Sequence, residues 1–124
     1  MTARSVLTLA ALLLFVAVGT GAFGAHALKS RLTPDMAAVW QTAVQYHAWH
    51  ALGLLAVGLL LLHWPDRGLL AIAAWLLLAG IVLFSGSLYA MALTGVRGLG
   101  AVTPFGGVAF LAGWIVLAWA CWRG

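Results

Sequence analysis

Four long apolar stretches dominate this sequence, each parted from the next by a short polar break. A helix needs about 20 mostly apolar residues to cross roughly 30 Å of hydrocarbon. The stretches are long enough, and their spacing predicts an all-α fold, an integral membrane four-helix bundle. The spans fall at about 5–27, 35–63, 68–92 and 103–122, within one domain covering residues 1–124.

Charge agrees with that reading. Only 6% of the 124 residues are charged and 65% are hydrophobic, whereas a soluble domain carries about a quarter charged residues. Two acids and six bases cannot clothe a water-facing surface. The bases (Arg4, Lys29, Arg31, Arg67, Arg97 and Arg123) stand singly where apolar runs end, so they read as interfacial anchors. They form no patch, which argues against nucleic acid as a partner. The single cysteine, Cys121, excludes an internal disulfide.

Local signals set the boundaries. The first span resembles a secretory signal, with Arg4 before it and Ala25-His26-Ala27 after it; the reading adopted is a retained helix. Thr33-Pro34-Asp35 is an N-cap, a first-turn proline and a first-turn acid. The pattern then stays helical to about His63, roughly 43 Å of helix, longer than the hydrocarbon requires. Its polar first part is expected at the interface or in a protein-packed zone. His63 to Gly68 forms a turn and 94–101 a loop, and Thr103-Pro104 starts the last helix. Small residues at Ala17, Gly21 and Ala25, and at Ala109 and Gly113, offer smooth faces for helix packing. Four spans put both termini on one side. Three bases fall on each face, and the free amino group beside Arg4, with Asp35 opposite, tips the balance towards cytoplasmic termini.

Polar side chains inside spans are the candidate functional residues, because stranding them in lipid is expensive. His26 ends helix one, and His47 and His50 sit near the start of helix two, so all three are expected towards one membrane face. Three imidazoles could hold Zn²⁺ or Cu²⁺, and a pair could ligate haem. The plainer reading is hydrogen bonding between helices, and no firm metal or cofactor site follows. Gln41, Gln45 and Tyr46 make a polar face expected to be satisfied by helix one. Ser85, Ser87 and Tyr89 lie on helix three, where hydroxyls commonly bond back to their own carbonyls. No base is in reach to activate a serine, so no catalytic residue is assigned. Thr103 to Gly107 reads as an ordinary helix entry. Asp35 and Asp66 both sit at helix ends, so no acid lies in the interior of a span, which argues against a proton-coupled antiporter.

Four ordered blocks carry a resemblance: Gly21 to Leu28, Gln41 to Leu52, Leu83 to Tyr89, and Thr103 to Gly107. They are similar to the YgdD / transmembrane protein 256 family, also known as domain of unknown function 423. The resemblance implies a small multi-pass protein of the bacterial inner membrane with no established activity. The expected function is a structural or accessory membrane component, non-enzymatic, partnered by the bilayer and by its own copies or a larger membrane complex. The alternative is a small-ligand protein holding a metal, haem or quinone through His26, His47 and His50.

Overall fold

The computed structural model describes residues 1–124. Helix α1 (Ala3–His26) and helix α2 (Pro34–His63) form the first two spans. The third is α3 (Gly68–Gly80), a π-helical turn (Ile81–Ser85) and α4 (Gly86–Thr94). A 3-10 turn (Arg97–Ala101) then leads into α5 (Thr103–Trp122), the fourth span. The protein is thus all-α, with four helical rods long and apolar enough to cross a membrane.

Capping explains the starts. Thr2 and Ser5 form a reciprocal box, with Ser5 N–H donating to Thr2 Oγ1 at 3.2 Å and Thr2 N–H to Ser5 Oγ at 2.9 Å. Thr33 Oγ1 accepts from Met36 N–H at 3.2 Å, with Pro34 at the first helical position. Each bond satisfies an amide that the helix itself leaves open. Gly95, at φ 74°, ends α4 in the left-handed conformation that glycine adopts without strain.

Two expectations change. The segment 94–101 is not simply a loop, since Arg97–Ala101 winds into a 3-10 turn that α5 continues. The third span is not a uniform α-helix either. Its π turn adds a residue to the ladder, and Gly86 N–H closes onto Ile81 O. That turn lies where α5 approaches most closely. A Cβ on Gly106 would collide with the backbone nitrogen and Cα of Phe84, inside the π segment. Only glycine permits that contact.

Helices α1 and α2 are antiparallel neighbours, with Leu7 against Gly58 and the Thr20 carbonyl against Trp40. The tightest approach on α1 is at Gly24, where a Cβ would strike the Trp40 indole; Gly21 makes only ordinary contact with Val44. The main core is built from Val6, Leu54, Leu61, Leu70 and Leu77, with Phe110 of α5. Helix α1 buries little beyond Val6, Ala10 and Ala17, and α5 buries Gly106, Phe110, Gly113 and Ala120. Much of the remaining surface of both helices is exposed and apolar, Phe15 by 76% and Ile115 by 71%, as a lipid-facing surface requires.

Candidate functional site: two polar clusters within the bundle

The polar residues gather in two places, neither of them where the histidine spacing suggested. His47 is the fourteenth of thirty residues in α2, about 20 Å from the helix start. His47 and His50 therefore lie near mid-span. His26 is exposed at the far end of α1. Gly24, two residues before it, is already level with Trp40, seven residues short of His47, and because the helices run antiparallel about 13 Å of helix separates His26 from His47. No group of three His, Cys, Asp or Glu side chains stands close enough to hold a metal ion.

The first cluster joins three rods. The Tyr89 hydroxyl of α4 lies 2.9 Å from His47 Nδ1 on α2 and 2.9 Å from Thr20 Oγ1 on α1. Trp40 Nε1–H donates to the Thr20 carbonyl at 2.9 Å, and its ring meets Tyr89 edge-on at 4.7 Å. Thr20 Oγ1 also reaches the Ala17 carbonyl at 3.2 Å. One buried polar atom is left over. His47 Nε2 has no hydrogen-bond partner, although the backbone of Leu13 lies beside the ring. Two single residues, Thr20 and Trp40, thus belong to the joint without any motif to announce them. Thr20 is a lone hydroxyl in an apolar helix, and that was the available signal.

The serines divide. Ser85 Oγ donates across the bundle to the Ala43 carbonyl at 2.8 Å and is fully buried. It does not bond back along its own helix. Ser87 does so, to the Phe84 carbonyl at 2.9 Å, and also meets Thr103 Oγ1 at 2.6 Å. These hydroxyls tie the third rod to α2 and α5.

The second cluster is aromatic and opens outward between α2 and α5. The His50 ring stacks on Phe110 with centroids 3.5 Å apart, and Tyr46 lies 4.5 Å from Phe84. His50 Nδ1 bonds the Tyr46 carbonyl at 2.7 Å. A carbonyl only accepts, so Nδ1 carries the proton, and in the neutral ring Nε2 keeps a free lone pair. A groove of about 420 Å³ runs beside these residues, lined also by Pro104 and Trp114.

Gln41 borders the end of helix one, in a cavity it shares with Gly24 and Ala25, and Gln45 lies further round, but neither glutamine is satisfied there. Both are exposed and lack a hydrogen bond within the chain. Helix periodicity is the reason. Trp40, Ala43, His47, His50 and Leu54 form the buried stripe of α2, and at about 100° per residue the glutamines fall on the opposite side, in line with exposed Trp49 and Leu52.

No solved structure matches this chain. Among curated relatives it is 51% identical to the UPF0382 membrane protein YwdK of Bacillus subtilis, over 82% of this chain and 83% of that one. A UPF0382 membrane protein of Staphylococcus epidermidis is also 51% identical, over 88% of each chain. One from Staphylococcus aureus is 44% identical over 93% of each. A family model described as a protein of unknown function matches residues 20–107, a stretch that contains the whole Thr20–Trp40–His47–Tyr89 joint. The chain belongs to that family, DUF423, and is a small multi-pass membrane protein of unestablished activity.

Proposed function

We propose that the protein is a non-catalytic accessory component of the cytoplasmic membrane that works by lying against another transmembrane helix. The observation that carries this reading is the stripe Gln41, Gln45, Trp49 and Leu52, which faces away from the bundle. Gln45 is the twelfth residue of α2, about 17 Å from its start and thus deep in the span. An amide there without a partner costs roughly 1–3 kcal/mol. A neighbouring helix that hydrogen-bonds it recovers part of that cost, about 0.6–2 kcal/mol per bond. The intramembrane hydroxyls Thr20, Ser85, Ser87 and Tyr89 are already engaged in joining helices, as a structural role requires.

Cytoplasmic termini go with this reading. Arg4, Arg67 and Arg123 lie at the terminal end, and at the other end Arg97 is within 3.7 Å of Asp35, which offsets part of the opposing charge. The test is size in mild detergent. The wild type is expected to run with a partner, either a second copy or another membrane protein. The Gln41→Leu/Gln45→Leu variant is expected to run alone and equally well folded. A wild type that runs as a lone monomer in native-lipid particles contradicts the proposal.

A second reading rests on the groove between α2 and α5. His50 Nε2 and the aromatic walls suit a flat, lipid-soluble molecule with a hydroxyl, such as a quinol, donating to that lone pair. It predicts that organic extraction of purified protein yields such a molecule, and that His50→Leu removes it.

A further inference from the structure

The turn between α2 and α3 meets the end of α5 in a small basic pocket that plays no part in the helix joint or the glutamine stripe. Arg67 and Arg123 line a cavity of about 270 Å³ together with Gly68, Leu69 and Ala120. The Arg67 guanidinium is held in place. Arg67 donates through Nη1 to the Ala120 carbonyl at 3.0 Å and lies 4.2 Å from the Trp64 ring centre. Arg123 lies 5.9 Å from the Trp119 ring centre. Contact with an indole face and a helix-end carbonyl orders a guanidinium while leaving most of its five N–H donors open.

Neither arginine has a carboxylate partner. The one ion pair in the protein is Arg97 with Asp35 at the opposite end, and Asp66, although adjacent in sequence, makes none. Two cations therefore line one pocket, and neither has a carboxylate within ion-pair distance. The tryptophans around them are of the kind that settles at headgroup level. Leu69 and Ala120 give the pocket apolar lining, and Gly68 and Leu69 stand at the start of α3. A phosphodiester meets all of these features, since its oxygens accept from guanidinium forks and its charge answers theirs.

The geometry points to a binding site for the phosphate of an anionic phospholipid such as phosphatidylglycerol, gripped by Arg67 and Arg123 at the end of the bundle that carries both termini. Its acyl chains lie along the apolar surface of α5, where Ile115 and Trp119 are exposed. Basic pockets between transmembrane helices select anionic headgroups, and each arginine strengthens the attraction severalfold.

Native mass spectrometry of the detergent-purified protein, titrated with phosphatidylglycerol or phosphatidylcholine of equal chain length, tests this. The wild type should retain one phosphatidylglycerol with a preference of about thirtyfold, the product of two arginine contributions. Arg123→Gln, which leaves the Arg67 cap on α5 intact, should lose about fivefold of that preference, and Arg67→Gln/Arg123→Gln nearly all of it. Arg31→Gln, at the opposite end, should leave it unchanged. Equal retention of the two lipids by the wild type overturns the assignment. So does an equal loss in Arg31→Gln, which marks a general effect of charge. Displacement of the lipid by millimolar inorganic phosphate identifies a site for the free anion and likewise overturns it.

Discussion

Tyr89 is the side chain on which most of the polar architecture converges, because its one hydroxyl serves α1 and α2 together. Tyr89→Phe removes both contacts and leaves His47 with neither ring nitrogen paired. A buried polar group stripped of its partner costs about 1–3 kcal/mol, and bonds between transmembrane helices fall towards the lower part of that range. The expected result is a lower unfolding midpoint in detergent for Tyr89→Phe and little change for Tyr46→Phe, whose hydroxyl has no partner. Ser85→Ala should cost about 1 kcal/mol by the same measurement, since the Ala43 carbonyl keeps its place in the ladder of α2. The candidate side chains were visible as polar residues in apolar runs, but their partners were not. Nothing in the order of residues says that Thr20 faces Tyr89, 69 positions away. That pairing follows from how two hairpins sit in space.

At the level of elements, the start of α2 was the most legible boundary, because Thr33-Pro34 answers a local backbone need. The depth of the histidines was misjudged for a physical reason. The first part of helix α2 was expected either at the interface or in a protein-packed zone, and it is protein-packed: α1 runs beside it for most of its length, with Trp40 against Thr20 and Gly24. The π turn left no trace in the sequence, since Ile81 to Ser85 would suit a plain α-helix equally well. Its position reflects the close approach of α5. Gly106→Ala should therefore cost about 1–3 kcal/mol through overpacking against the Phe84 backbone. Gly107→Ala, one residue on, meets only a Phe84 ring carbon at 3.9 Å and should leave the melting temperature unchanged or slightly raised. Equal losses for the two would show that the crossing is looser than the contact implies.

For the whole molecule, a stable four-rod bundle places unsatisfied chemistry on its outside. The inward faces close on leucines, hydroxyl bonds and aromatic stacks, while the outward stripe of α2 keeps two amides and Trp49 in a lipid-facing position. Membership of the family establishes the membrane setting and leaves activity open, so lateral association has to be tested on the protein itself. The most direct measurement is photocrosslinking in native membranes from a benzophenone side chain at position 45, with a second probe at position 115. Position 115 lies on α5, where the wild-type Ile115 is 71% exposed. The account predicts a discrete protein adduct from position 45 and only lipid adducts from position 115. Lipid adducts alone from both positions would contradict it.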